Sequence, residues 1–148
     1  MLSHNRKEII ATPDAPPALG PYAQGVKVGE TIYVSGQLPL DPKTGQLVTG
    51  DIAAQTERVL LNIREILEEG GATLSDVVKI TIFLRDLSQF DEVNRVFAMF
   101  FPTGEQSQSL PPTRSTVEVS GLPKNANLEM DAIAIASSGA YDPELYYD

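Results

Sequence analysis

Pro111-Pro112-Thr113-Arg114-Ser115-Thr116-Val117-Glu118-Val119 and, after a turn-rich gap, Leu128-Glu129-Met130-Asp131-Ala132-Ile133-Ala134-Ile135 are the stretches whose reading decides the fold. Both alternate and are rich in β-branched side chains, which predicts two strands near the C-terminal end. Each carries a charge at its start, Arg114 in the first and Glu129 in the second, inside an otherwise apolar or hydroxyl-bearing pattern. A guanidinium at a strand start can hold a planar anion, because its parallel N–H donors match a carboxylate two to two and a strand end keeps that fork rigid. Glu129 then has the chemistry to position water or pass protons. An arbitrary charged pair is more often a solvated feature of an exposed sheet face. The residues by themselves leave both readings open.

Working outward, the segment to about Glu8 reads as a loosely held tail, and Thr12-Pro13-Asp14-Ala15-Pro16-Pro17 as a proline-punctuated extended stretch, with order expected from about Gly20. Val26-Lys27-Val28 and Thr31-Ile32-Tyr33-Val34-Ser35 flank Gly29-Glu30 and predict a hairpin with a two-residue turn. Gln46-Leu47-Val48 is a candidate short strand. From Asp51, a plausible cap, a helix is signalled by the apolar stripe Ile52, Val59, Leu60, Ile63, Ile66 and Leu67 and stopped by Gly70-Gly71. Val77 to Leu84 predicts a strand with Val78, Ile80, Ile82 and Leu84 on one face. A second helix, expected to be capped by Ser88, runs to Phe101 with Phe90, Val93, Phe97 and Phe100 as a core stripe. The order strand, strand, helix, strand, helix, strand, strand predicts a two-layer α+β fold whose strand-helix-strand crossovers are right-handed. If both helices cover one sheet face, the other face needs cover, and a second copy of the chain is the natural one.

Composition narrows the chemistry. The chain has 148 residues, no cysteine, one histidine (His4, in the tail), and 20 acidic against 11 basic residues. Thiol nucleophiles, disulfides, and Ser-His or His-metal machinery are excluded within this chain. A net charge of -9 makes nucleic acid an unlikely partner. No apolar run approaches the length of a membrane span and the start lacks a signal-peptide core, so a cytoplasmic protein without membrane attachment is expected. The length suits one domain over residues 1–148, with a core of about residues 10–135 between tails at 1–9 and 137–148.

Pro112-Thr113-Arg114-Ser115, Val117-Glu118-Val119, Leu122-Pro123 and Leu128 through Ala134 resemble the C-terminal signature of the RidA/YjgF family of reactive-imine deaminases. Gly20-Pro21-Tyr22-Ala23-Gln24, Val34-Ser35-Gly36-Gln37-Leu38-Pro39, Gln55 through Ile63, and Asp86 to Phe90 with Val93-Asn94 and Phe100-Phe101 resemble further blocks of that family, in order. The resemblance implies a homotrimer of chorismate-mutase-like fold, a mixed sheet with two helices on one face, and small-ligand clefts between subunits. It implies 2-iminobutanoate/2-iminopropanoate deamination without cofactor or metal. Arg114 would bind the substrate carboxylate, Glu129 would place water or relay protons, and Tyr22, Ser35, Gly36, Asn94 and Thr116 would line the cleft. Thr116 stands where the family often has cysteine, so thiol-based regulation is not expected. A non-catalytic 2-oxo-acid sensor is the alternative from another class, and a ribonuclease or translation inhibitor a third. A simple hairpin of the last two strands would leave Arg114 and Glu129 about 13 Å apart along the strand direction. Either these strands are not neighbours or the two groups meet across a subunit boundary.

Overall fold

The computed structural model describes residues 7–104 and 110–137. Six strands, β1 (Lys7–Ile10), β2 (Gly25–Val28), β3 (Thr31–Gln37), β4 (Val77–Leu84), β5 (Thr113–Glu118) and β6 (Leu128–Ile135), form one sheet in the order β1-β2-β3-β6-β4-β5. Helices α1 (Ile52–Glu69) and α2 (Phe90–Phe100) connect β3 to β4 and β4 to β5. All pairings are antiparallel except β4 with β5, so the sheet is mixed. The last strand is inserted between β3 and β4, and the first crossover therefore spans it.

Local chemistry explains the elements. The β2–β3 turn opens with Gly29 at φ 60°, a left-handed conformation that a side chain would disfavour. Asp51 accepts a hydrogen bond from the Ala54 N–H at 2.9 Å and caps α1, and Gly71 ends it at φ 88°. Isoleucine 32, Val34, Ile80, Ile82, Leu84, Leu128, Met130, Ala132 and Ala134 point to one face and form a single core with the α1 stripe and with Val93 and Phe97 of α2. On the opposite face Val28, Tyr33, Val117 and Ile135 stay exposed. Among the described residues, no helix is long and apolar enough to cross a membrane.

Several details differ from the sequence reading. Order begins before Gly20: Lys7–Ile10 pairs with β2, and residues 12–16 are held by the buried Gln24 side chain, whose amide donates to the carbonyls of Thr12, Ala15 and Pro16 while its oxygen accepts from the Thr12 N–H. Prolines contribute no N–H to a ladder, so this stretch needs a side-chain donor from elsewhere to satisfy its carbonyls. Val78 is exposed rather than in the core, because a register shift between Val77 and Lys79 turns it outward. Ser88 does not cap α2: the helix starts after Gln89 without a side-chain cap, and Asp86 instead caps the turn that precedes it. The Asp86 carboxylate accepts from the Ser88 N–H at 2.9 Å, and this short 3-10 turn spans Leu87–Gln89. Gln46-Leu47-Val48 contributes a single bridge, Leu40 to Leu47. Most of the polar loop before Leu110 and the tyrosine-containing end of the chain lie outside the described residues.

The core also shapes the loop that will wall the site. Asn62, fully buried in α1, donates to the carbonyls of Leu38 at 3.2 Å and Leu40 at 3.0 Å. Removing the amide leaves the buried Leu40 carbonyl without its donor, at about 1–3 kcal/mol for a buried orphaned group, while the Leu38 carbonyl keeps the Leu40 N–H at 2.7 Å. Asn62→Leu is therefore expected to fold with a clearly lowered thermal midpoint, and a calorimetric melt indistinguishable from the parent would contradict this role.

Candidate functional site

The seven predicted site residues fall into two groups on opposite faces of the sheet. Tyr22, Ser35, Gly36 and Glu129 line one cleft of about 420 Å³, together with Pro16, Pro17, Leu19, Leu38 and Lys124. Arg114 and Thr116 line a second, open concavity with Leu87 and Phe90, and Asn94 is bonded to Arg114 there.

The first group is organised by an irregularity in β3. Val34 pairs with Ala132 but Gln37 with Met130, so one extra residue is accommodated at Ser35-Gly36. The bulge turns Gly36 toward Glu129 of β6. A Cβ on Gly36 would lie 2.5 Å from Glu129 Oε2 and 2.7 Å from its Cδ. Glycine is thus required here by the carboxylate that lies across it, not by backbone strain. Ser35 donates its hydroxyl proton to the Ala23 carbonyl at 2.6 Å, which leaves the oxygen as an acceptor. Tyr22 is half exposed, and its hydroxyl accepts from the Leu19 N–H at 3.3 Å. Partial burial is the main cause that raises the Glu129 pKa, and the like charge of Asp131, on the same face of β6, raises it further.

The second group is built by α2. Phe90, Asn94 and Phe97 fall at i, i+4 and i+7 and so share a helix face. The Arg114 guanidinium carbon lies 5.3 Å from the Phe90 ring centre and 4.8 Å from that of Phe97, and Asn94 Oδ1 accepts from Nη1 at 2.6 Å. These phenylalanines were expected to serve the core alone. Phe97 does both, its buried ring closing the core and its face seating the cation. Among the described residues no carboxylate pairs with Arg114. The Thr116 hydroxyl oxygen is buried and, among the described residues, lacks a hydrogen-bond partner.

The register problem is resolved by topology. β5 and β6 are not neighbours, since β4 lies between them. Arg114 is in register with Ile80 and Glu129 with Phe83, an odd offset of three residues that places their side chains on opposite faces. Three residues of rise and two strand spacings separate their backbones by about 14 Å. One chain therefore does not bring its own Arg114 and Glu129 to one small ligand.

Sequence reasoning missed Gln24 as the clamp of the cleft wall, the aromatic seat of Arg114, and Lys124. The first had a signal, a lone amide residue following a proline-rich segment with unsatisfied carbonyls. No group of three or more metal-ligating side chains among the described residues is placed to hold a metal ion.

Comparison with known proteins places this geometry. The family model described as Endoribonuclease L-PSP matches residues 12–136. The chain is 52% identical over 128 residues to a RutC family protein of Pyrococcus abyssi, covering 86% of this chain and 96% of that protein. It is 43% identical over 129 residues to the 2-iminobutanoate/2-iminopropanoate deaminase of Dermatophagoides farinae, covering 87% and 96%. Among solved structures it is similar to E. coli TdcF with bound serine, at a TM-score of 0.82 and 41% identity over 88% of this chain and all of the other.

Two expectations follow from the Glu129 contacts. Because its folded-state pKa is raised, the native state holds more protons than the unfolded chain between the two pKa values, and stability falls as pH rises through that window. Glu129→Gln should therefore melt above the parent at pH 7, with the gap closing below about pH 4, where the unfolded carboxyl is also protonated; a constant gap across that range would refute the linkage. Gly36→Ala should fold, since the clashing atoms end a flexible side chain, with the Glu129 carboxylate visibly displaced in a crystal structure.

Proposed function

This chain belongs to the RidA/YjgF family, and on that premise we propose that it is a hydrolase deaminating 2-iminobutanoate and 2-iminopropanoate to 2-oxo acids and ammonia. The observation that carries the reading is Arg114: a guanidinium seated on two rings, steadied by one amide, and, among the described residues, not bonded to a carboxylate. Its remaining N–H donors suit the carboxylate of a small imino acid. The deaminase name of the Dermatophagoides relative supports the same assignment.

The chemistry needs little machinery. The imine carbon becomes electrophilic once its nitrogen is protonated, so the site must anchor the substrate, place a water and move protons. Glu129 takes a proton from the attacking water as the C–O bond forms and the C=N electron pair returns to nitrogen. It then gives the proton to the amine, which leaves as ammonia while the new hydroxyl passes its proton to solvent water and the carbonyl forms, so that the proton that activated the imine is returned. A carboxyl with a raised pKa serves both directions better than a fully solvated one, because its two protonation states lie closer to balance. Ser35, its own proton committed to Ala23, accepts from the substrate nitrogen.

Because Arg114 and Glu129 of one chain face opposite ways, the working site in this proposal lies between chains of a homotrimer, with Arg114 and Asn94 from one subunit and Glu129, Tyr22, Ser35 and Gly36 from its neighbour. The exposed apolar residues on the sheet face bare of helices are the surface such an assembly would cover. The proposed setting is the cytoplasm, beside pyridoxal-phosphate enzymes that release such imines.

Light scattering on a sizing column should give about three times the 16.0 kDa chain mass; a monomer at micromolar concentration would remove the shared site. With freshly generated iminopropanoate, ammonia release should exceed the buffer rate. Arg114→Ala should lower kcat/KM by roughly two to four orders of magnitude, and Arg114→Lys should restore only part, since an ammonium lacks the planar fork. Undiminished activity in Arg114→Ala, with assembly intact, would refute the assignment. Binding of 2-oxobutanoate without turnover would select a sensor instead.

A further inference from the structure

Lysine 124 and Glu129 are the charged residues among those lining the cleft, and Lys124 is its one cation among the described residues. Its backbone is left-handed, with φ 57° and ψ 19°, and the next residue, Asn125, is also left-handed at φ 59°. Two successive side-chain-bearing residues in this region are unfavourable, and glycine would be the unstrained choice. The strain is held from outside. Arg85, just past the end of β4, donates from Nη1 to Asn125 Oδ1 at 2.8 Å, and its backbone N–H donates to the Asn127 carbonyl at 3.0 Å. Ala126 is buried beneath the turn. Despite sharing the cleft with Glu129, Lys124 forms no ion pair within the described residues. An exposed cation is thus kept at the wall of a cleft on a chain of net charge -9, which otherwise repels small anions.

We propose that Lys124 steers and orients anionic substrate into the Glu129 cleft, ahead of capture by Arg114. The proposal rests on the imino-acid reading for its substrate but is decided by binding alone. A positive charge at the cleft raises the local concentration of a carboxylate-bearing ligand, and its effect is screened by salt. Retaining lysine at a left-handed position follows from that role, since a turn needing only its shape would be served better by glycine.

The test is calorimetric binding of 2-oxobutanoate to the full-length protein at ionic strengths of about 0.01 M and about 1 M, where screening lengths are about 30 Å and about 3 Å. Lys124→Met should weaken binding by roughly threefold to tenfold at low salt and match the parent at high salt, while Lys124→Arg keeps the parent's salt dependence. Lys124→Gly should show the same loss as Lys124→Met and melt no lower than the parent, because it relieves the turn. Equal affinity and salt dependence in Lys124→Met would overturn the proposal, as would a defect confined to Lys124→Gly, or a parent protein that binds no 2-oxobutanoate. Ammonia release by the same proteins separates the two readings: a parent that binds without turnover refutes the deaminase and leaves steering to be judged by the salt dependence. A parent that turns over, with Lys124→Met unchanged in kcat/KM and binding, refutes steering alone.

Discussion

The burial of β6 is the interaction on which the rest of the structure depends. Leu128, Met130, Ala132 and Ala134 alternate into the core beneath α1, three of them without measurable exposure, while Glu129 and Asp131 are forced to the other face by the pleat. With β3 on one side and β4 on the other, both antiparallel to it, this strand joins the two halves of the chain into one sheet. Burying a leucine or methionine contributes about 1.5–3 kcal/mol, so a one-residue slip, which would exchange the leucine and methionine for two carboxylates, is strongly disfavoured. The register that secures the core is the same register that presents Glu129.

That arrangement decides how chemistry can be distributed. An edge strand, β5, carries Arg114 on the helix-covered side, where α2 has room to place two rings and an amide against it. A central strand carries Glu129 on the uncovered side, beside a bulge and a glycine. Each half is built with its own support, and the pleat keeps them apart. The same parity that makes a two-layer domain stable makes a site using both residues a matter between chains.

The cleft wall depends on polar groups buried for structural reasons. Gln24 satisfies carbonyls of a proline-rich segment that cannot pair as a strand, and Asn62 satisfies those of Leu38 and Leu40. Both amides are nearly or fully buried, and the Leu40 carbonyl that Asn62 satisfies is shut away from water with it. Around Lys124 the logic is reversed, with backbone strain held by Arg85 at the rim.

The sequence by itself determined what local periodicity and residue chemistry can specify. The hairpin at Gly29-Glu30, α1 with its Asp51 cap and Gly70-Gly71 stop, the α2 stripe, and the strands carrying Arg114 and Glu129 were legible because each rests on contacts within a few residues. The ordered motifs also identified the family and the residues worth examining. Hidden from the sequence were β1, which is ordered only by pairing with β2, and the outward turn of Val78, which follows from a register shift against β6. The Asp86 cap was missed because a short turn displaces the helix start. Only the tertiary structure decided that β6 lies between β3 and β4, that the phenylalanine stripe also seats Arg114, and that Arg114 and Glu129 face opposite ways. Strand order and pairing register arise from burial between segments far apart in the chain, and the parity of a side chain relative to another strand has no signature in either strand alone.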